Sequence, residues 1–233
     1  MKRLLMGMLF FPAAVLAATT GYRLDHSPHD IRDLVSLQAG ARTYMNYCLG
    51  CHGVQFMRYG GLTELGLSEA QIKDHLMFTA DKVGEPIRTP GFEVKQAKVW
   101  FGVPPPDLSV IARSRGADWL YTYLRTFYRD PKTVTGWNNA VFPNVAMPHA
   151  LWTLQGERAM DEKTHKLVEV SKGAMSVTEY DATVRDLVNF LAWIGEPHAA
   201  TRKNTGIVVL LVLALLIFPL AYWLKKEYWK DVK

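Results

Sequence analysis

The sequence predicts an all-α body with long loops, followed by one transmembrane helix near the C-terminus. Apolar residues recur at intervals of three and four in several segments of the body, which is the spacing of an amphipathic helix. No segment shows the strict alternation that a half-buried strand requires. In addition, the 19 residues from Gly206 to Leu224 carry no charged side chain.

The first 18 residues match the three regions of a secretory signal peptide. Lys2 and Arg3 precede an apolar stretch from Leu4 to Phe11, and a run of small residues ends at Ala18. This apolar stretch is too short to cross a bilayer. An N-terminal anchor that stays uncleaved is the alternative, and both interpretations predict that residues 19–201 form an exported domain.

The charge-free segment near the C-terminus predicts a membrane span. A helix of this length extends over about 28 Å, which is close to the hydrocarbon thickness of a bilayer. We therefore expect a transmembrane helix over residues 206–224 and a cytoplasmic tail over residues 225–233. Aromatic and lysine side chains cluster at this end, as is typical of the cytoplasmic interface: Tyr222, Trp223, Lys225, Lys226, Tyr228, Trp229, Lys230 and Lys233.

The net charge argues against nucleic-acid binding. The formal charge is +5, but Lys2 and Arg3 supply two of these charges and the tail from Lys225 to Lys233 supplies a net two more. The remaining body is nearly neutral, so it offers no basic stripe for phosphate groups. We predict no nucleic-acid partner.

Apolar periodicity and capping residues define the first two helices of the body. The pattern from Leu34 to Cys48 predicts a helix whose last turn leads into the two cysteines. Ser68 and Gln71 have the spacing of a capping box, which predicts a short helix to about Thr79. The proline- and glycine-rich stretch from 84 to 106 then predicts loops.

Two further helices follow the same rules. Asp118 opens a segment whose apolar face extends to Phe127, and the helix should stop before Pro131. Ser176 and Glu179 form a second capping-box pair, and the apolar face that follows them ends at Gly195 and Pro197.

The two cysteines of the chain, Cys48 and Cys51, stand three positions apart and are followed at once by His52. Two thiols at this spacing can add to the two vinyl groups of one haem, and the next histidine can bind the iron. The sequence therefore predicts one covalently attached haem c, with Cys48 and Cys51 as the attachment points and His52 as a metal ligand.

Other functions of the cysteine pair are possible in principle. A thiol–disulfide oxidoreductase would use the same spacing, but its pair opens a helix after a strand, whereas here a helical pattern leads into the motif. A zinc site would need further ligands, and the other histidines are scattered. A structural anchor protein with an incidental pair is the weakest alternative.

A haem that carries electrons needs a second axial ligand, for which Met147 is the first candidate. Pro143 and Pro148 bracket Met147 in a loop whose stiffness would hold the thioether in place. Four other side chains rank lower: His149 is second, His75 is third, and Met45 and Met77 are expected to fill the core.

A buried haem also brings two propionate groups, which need hydrogen-bond donors or cations. Arg113 and Arg115 are the candidate cations. The indole N–H of Trp119 is a further candidate donor.

With these motifs in this order, the chain resembles the cytochrome c1 family in its bacterial form, the haem-c subunits of the cytochrome bc complex. The resemblance extends from the haem motif to the C-terminal helix. Four stretches carry it: Cys48 to His52; Pro105-Pro106-Asp107-Leu108-Ser109 with Ile111 and Arg113-Ser114-Arg115; Phe142-Pro143 leading to Met147-Pro148; and Glu196-Pro197 with Arg202-Lys203.

The resemblance implies a class I-like cytochrome c fold. It implies thioether bonds at Cys48 and Cys51, axial iron ligands at His52 and Met147, and Arg115 near a propionate. Trp119 stands where some relatives have tyrosine, and the acidic insertions that some relatives use for docking cytochrome c are absent from this sequence.

The resemblance also implies a function. The chain would accept one electron from the Rieske iron–sulfur protein and pass it to a cytochrome c, beside cytochrome b in a quinol–cytochrome c reductase. It would be a non-catalytic redox subunit in the bacterial inner membrane, with its haem domain on the periplasmic side. A stand-alone anchored c-type cytochrome that donates to a terminal oxidase or reductase fits the motif and the span equally well.

Overall fold

The computed structural model describes residues 22–90 and 94–231, so the predicted signal peptide lies outside the described residues. The helices are α1 (Leu34–Tyr47), α2 (Glu69–His75), α3 (Val94–Phe101), α4 (Ile111–Arg115), α5 (Ala117–Arg125), α6 (Trp152–Gln155), α7 (Val177–Gly195) and α8 (Ala199–Tyr228), with a 3-10 helix at Tyr59–Leu65. The strands are β1 (Val54–Arg58), β2 (Pro86–Ile87), β3 (Phe127–Arg129), β4 (Trp137–Asn139), β5 (Gly156–Met160) and β6 (Leu167–Lys172).

Helix α1 begins where the sequence predicts because Asp33 caps it. The Asp33 carboxylate accepts hydrogen bonds from the backbone N–H groups of Val35 and Ser36, both at 3.1 Å. These bonds satisfy two of the donors that a helix leaves free in its first turn. The apolar face of the helix is buried, as expected, through Leu37, Ala41, Tyr44 and Met45.

Helices α1 and α7 pack closely around Gly40 and form the centre of the core. A Cβ atom on Gly40 would lie 2.0 Å from the backbone carbonyl oxygen of Asp186, so the interface requires a residue without a side chain. Tyr44 and Phe190 meet in the same interface, with ring centroids 5.7 Å apart.

Both predicted capping boxes are present, at Ser68 before α2 and at Ser176 before α7. Three features differ from the prediction. Helix α3 lies in the stretch from 84 to 106, which the sequence predicts to be loops, and two helix ends are shifted. Helix α2 ends at His75 rather than near Thr79, and Phe127 begins strand β3 instead of extending α5. The β-branched and aromatic residues after Arg125 favour extended backbone, which outweighs the helical spacing of Phe127.

The prediction of an all-α body is wrong, because the body contains two small sheets. Strands β1 and β2 form an antiparallel pair, and a four-stranded sheet has the order β4-β3-β5-β6, with β3 and β5 parallel. Strands β3 and β4 have only three residues each, and β6 exposes nearly all of its side chains. Neither situation produces the alternation of buried and exposed residues by which strands are recognised.

Helix α8 contains the C-terminal apolar segment. Within the described residues, Thr201–Tyr228 is the one helical stretch long and apolar enough to cross a membrane. The helix extends beyond the predicted span of 206–224 at both ends, because the charged residues that flank the apolar segment are also helical. Pro219 lies inside the helix.

Candidate functional site

The segment from Cys48 to His52 forms a tight turn directly after α1. The backbone N–H groups of Cys51 and His52 donate to the carbonyl oxygen of Cys48 at 3.0 and 2.8 Å. The hydroxyl of Tyr44 donates to the backbone carbonyl of His52 and so ties the turn to α1. Cys48 is half-buried against the core, Cys51 is exposed, and both are free thiols.

The ring of His52 is nearly buried and is oriented by the proline-rich segment. Its Nδ1 atom lies 2.7 Å from the carbonyl oxygen of Pro106. A carbonyl oxygen can only accept, so Nδ1 carries the proton and Nε2 keeps its lone pair. Burial lowers the pKa of His52, against the opposing effects of the Pro106 bond and the Asp107 charge. The neutral imidazole that results is the form that binds metals.

The segment that contains Pro106 is itself held against the residues after the turn. Three backbone N–H groups make the contacts: Leu108 donates to the Gly53 carbonyl at 2.8 Å, Gln55 to the Asp107 carboxylate at 2.9 Å, and Phe56 to the Ser109 hydroxyl at 3.1 Å. Within the segment, the Ser109 N–H also donates to the Asp107 carboxylate at 2.9 Å. These bonds hold the Pro106 carbonyl in place for His52. The segment from Pro105 to Ser109 therefore positions the His52 ring, a role that its composition alone does not indicate.

Met147 lies in the loop after β4 and is partly buried against the same core as Cys48. The hydroxyl of Tyr123, on α5, donates to the Sδ atom of Met147 at 3.4 Å. Tyr123 falls within the apolar helix face predicted from Asp118 to Phe127, but the sequence gives no sign of this contact. Such a bond between residues 24 positions apart leaves no local pattern.

The loop that contains Met147 is fastened to the end of α5 by Asn139, whose side chain is fully buried. The Asn139 amide nitrogen donates to the carbonyl oxygen of Tyr123 at 2.7 Å. Its amide oxygen accepts the backbone N–H groups of Val141 and Phe142 at 2.9 and 3.1 Å. Sequence reasoning missed Asn139, although a polar residue between aromatic and apolar neighbours is a signal of this kind of anchor.

The second ligand candidate, His149, is engaged elsewhere in the core. Its Nε2 atom lies 2.7 Å from the Gln155 side-chain oxygen, and its ring stacks on Phe127 with centroids 4.9 Å apart. Burial is the main reason that the pKa of His149 falls to about 4. Of the remaining candidates, His75 is exposed at the end of α2, and Met45 and Met77 pack in or against the core.

Arg115 is held by aromatic rings next to the Met147 loop. Its guanidinium carbon lies 5.2 Å from the ring centroid of Trp119 and 5.8 Å from that of Phe142, which are cation–π distances. Trp119 in turn stacks on Tyr123 with centroids 4.7 Å apart. The structure therefore brings Arg115, Trp119, Tyr123 and Met147 into one contiguous group.

Arg113 belongs to a different cluster, at the junction with α8. Glu196 lies between α7 and α8, and its carboxylate pairs with Arg113 at 3.6 Å and with Arg202 of α8. The two candidate arginines are thus separated in the structure. Arg115 faces aromatic rings, whereas Arg113 faces an acid at the base of the C-terminal helix.

The chemistry of these side chains fits a covalently held c-type haem. An imidazole with a free Nε2 lone pair stands beside two thiols, and a thioether borders the same core. Imidazole and thioether are the ligand pair of haems that carry electrons. In residues 22–90 and 94–231, His, Cys, Asp and Glu side chains form no group of three or more that could hold a metal ion.

The comparisons of this sequence with known proteins agree on one family. The sequence model of the Cytochrome C1 family matches residues 26–232. Cytochrome c1 of Allochromatium vinosum is 45% identical over the full length of both chains. The ammonia monooxygenase gamma subunit of Nitrosomonas europaea is 48% identical over 99% of this chain and 98% of its own. Cytochrome c1 of Rhodospirillum rubrum is 29% identical, covering 86% of this chain and 83% of its own.

The match covers both the haem motif and the C-terminal apolar helix. Members of the family carry covalently attached haem c, transfer electrons in a respiratory chain and are anchored to a membrane. The relatives from Allochromatium vinosum and Nitrosomonas europaea align with essentially the whole chain. The chain therefore belongs to the cytochrome c1 family, the haem-c electron-transfer subunits of the bc1 complex.

Proposed function

We propose that this chain carries a single haem that accepts one electron from a Rieske iron–sulfur protein and passes it to a cytochrome c, within a quinol–cytochrome c reductase that also contains cytochrome b. The observation that carries the proposal is the contact of 2.7 Å between Nδ1 of His52 and the Pro106 carbonyl. It leaves Nε2 available beside two thiols, which is the attachment chemistry of a c-type haem.

Four side chains hold the haem in this proposal. Cys48 and Cys51 would form the thioether bonds, and His52 and Met147 would supply the imidazole and the thioether that ligate the iron. The haem, when bound, supplies one-electron chemistry. Met147 raises its reduction potential, because a thioether opposite a histidine favours the reduced iron. A high potential is what an acceptor for a Rieske centre requires.

Arg115 binds a haem propionate. Its guanidinium can donate two parallel hydrogen bonds to a carboxylate, and the contacts with Trp119 and Phe142 restrict where it can lie. Arg113 is less suited to this role because Glu196 already neutralises it. The chain has no catalytic residue of its own and acts as the redox subunit of a larger enzyme.

We further propose the following layout in a bacterial inner membrane. Residues 1–18 are a signal peptide, and residues 19–201 form a class I-like cytochrome c domain, here called the haem domain, on the periplasmic side. Residues 206–224 cross the membrane once, and residues 225–233 form a cytoplasmic tail. The lysines after the apolar segment support this orientation.

Other assemblies would contain a chain of this kind. A stand-alone anchored cytochrome would donate to a terminal oxidase or reductase. The relative from Nitrosomonas europaea is named as an ammonia monooxygenase subunit, which makes an ammonia monooxygenase the third possible assembly. The companions of the chain separate these possibilities, because the haem site of the chain is the same in each.

A thiol–disulfide oxidoreductase is disfavoured by the state of the thiols. Burial, together with the neighbouring Cys51, raises the pKa of Cys48 to about 12. Burial also raises the pKa of Cys51. Redox-active thiols of this class instead have lowered pKa values, because the thiolate is the reacting form.

The decisive experiment is a reduced-minus-oxidised visible spectrum of the tagged full-length protein, purified gently from its native membrane. Bands of both c-type and b-type haem, with a co-purifying Rieske protein, are expected. A c-type band alone would replace the proposal with a stand-alone cytochrome. Co-purification of mainly monooxygenase subunits would instead favour an ammonia monooxygenase as the assembly. A sample without haem would favour a thiol–disulfide function of Cys48 and Cys51.

A further inference from the structure

The hydroxyl of Tyr123 is directed at a single partner, the thioether of Met147. The oxygen lies 3.4 Å from Sδ, which is a hydrogen-bond distance for a sulfur acceptor. A thioether sulfur is a weak acceptor with two lone pairs. When one lone pair binds a metal, the other is still available to accept a hydrogen bond.

The position of this hydroxyl is fixed by its surroundings. Tyr123 is buried on α5, and its ring lies between Trp119, stacked at 4.7 Å, and Phe127, edge-on at 5.0 Å. Its backbone carbonyl is bound by Asn139, which also holds the loop that contains Met147. The helix that carries the donor and the loop that carries the acceptor are therefore tied to each other through Asn139.

We infer that Tyr123 raises the reduction potential of the haem by donating its hydroxyl to Sδ of Met147. The inference rests on the proposed role of Met147 as an iron ligand. A hydrogen bond withdraws electron density from the sulfur, so the sulfur donates less to the iron and the reduced form gains relative to the oxidised form. Hydrogen bonds around axial ligands are a recognised means of setting haem potentials.

The test compares two tyrosines of the same helix in the full-length holoprotein within its native complex. Tyr123→Phe removes only the hydroxyl that meets Met147. Tyr121→Phe is the matched control, because Tyr121 is equally buried but faces Arg125, 4.5 Å from its ring centroid. The readouts are the haem midpoint potential and the sulfur-to-iron charge-transfer band of the oxidised protein.

We expect Tyr123→Phe to favour the oxidised haem about threefold, which corresponds to a potential lower by about 28 mV at about 59 mV per tenfold change. The charge-transfer band should remain but shift, while Tyr121→Phe leaves both readouts at parental values. An unchanged or higher potential in Tyr123→Phe overturns the inference, as does an equal shift in Tyr121→Phe.

The two proposals fail in different ways. If the parent protein itself lacks the charge-transfer band, Met147 is not the ligand, and the inference about Tyr123 falls with that assignment. If the band is present but the potential does not respond to Tyr123→Phe, only the role of Tyr123 is wrong.

A second measurement covers the case in which Tyr123→Phe does not assemble. Replacement of Tyr123 by 3-fluorotyrosine keeps the hydroxyl and nearly the same volume but makes the hydroxyl a stronger donor. The potential should then rise above that of the parent. An equal or lower potential in this protein contradicts the inference.

Discussion

His52 and Pro106 stand 54 positions apart in the chain, yet Nδ1 of the histidine lies 2.7 Å from the carbonyl oxygen of the proline. This contact selects one tautomer of the ring and fixes its orientation. A metal-binding histidine commonly donates its other nitrogen in this way. The proline-rich segment thus matters for the site through its backbone.

Replacing His52 with alanine should remove the proximal ligand while both thiols remain. We expect the haem, where it is still attached, to lose its low-spin visible spectrum. His75→Ala is the control, because His75 is exposed on α2, and it should leave the spectrum unchanged. A normal low-spin spectrum in His52→Ala would show that the ligand has been assigned wrongly.

Replacing Met147 with leucine should leave the haem covalently attached but lower its potential. Axial ligands set haem potentials over about 0.8 V, so we expect a decrease on the order of 0.1 V. Met45→Leu, a substitution of similar volume in the core, should leave the potential unaltered. Redox titration measures the midpoint potential of each variant. If Met147→Leu has the same potential as the parent, Met147 is not an iron ligand.

Arg115→Ala should lower the haem potential or weaken haem retention, because a positive charge near the propionates disfavours the oxidised iron. Arg113→Ala removes the same charge from the cluster with Glu196 and should have the smaller effect. Potentiometry and haem content measure the two outcomes. If Arg115→Ala matches the parent in both, the propionate role is wrong.

Asn139→Ala should destabilise the haem domain by about 3 kcal/mol. The substitution leaves two backbone N–H groups without partners, and each such group costs about 1–3 kcal/mol when buried, with partial relief by relaxation. It also removes one of the hydrogen bonds to the carbonyl of Tyr123, which keeps the Thr126 N–H at 3.2 Å. Asn46→Ala is the control, since Asn46 is exposed.

The measurement is the thermal unfolding midpoint of the detergent-solubilised holoprotein at a fixed heating rate. Asn139→Ala should unfold at a clearly lower temperature than both the parent and Asn46→Ala. Equal midpoints for all three would mean that the loop around Met147 is held by other contacts.

Gly40→Ala should force α1 and α7 apart, because its Cβ would lie 2.0 Å from the Asp186 carbonyl oxygen. Overpacking of this kind typically costs about 1–3 kcal/mol, and a backbone neighbour cannot move aside as a side chain can. Gly84→Ala is the control, since a Cβ there has no heavy atom within 4 Å. Thermal unfolding should separate the two variants, and a parental midpoint for Gly40→Ala would contradict the described helix packing.

The sequence was informative where interactions are local. The capping boxes at Ser68 and Ser176 involve residues three positions apart, and the apolar face of α1 repeats within each turn. These features are visible in a short window, so the starts of α1, α2 and α7 are predicted correctly, whereas α3, which lies in the stretch predicted as loops, is not. The segment Cys48 to His52 is equally local, which is why its chemistry could be predicted before its geometry was known.

The rest depends on residues that are distant in the chain. The parallel pairing of β3 with β5 joins Arg129 to Ala159, and the contact of Tyr123 with Met147 crosses a loop. Neither follows from periodicity, because each arises only when the chain has already folded. A polar residue such as Asn139 stands out in the sequence because its neighbours are aromatic and apolar. The sequence does not show which groups its buried amide binds.

The connection between α7 and α8 limits how the haem domain can move. Helix α7 ends at Gly195 and α8 begins at Ala199, and so few residues can span at most about 14 Å even when fully extended. Glu196 shortens this reach further by pairing with Arg113 on one side and Arg202 on the other. The domain therefore cannot shuttle between distant sites on a flexible tether. In the proposed function, the Rieske protein and the cytochrome c therefore have to approach the haem domain, because the domain cannot travel to them.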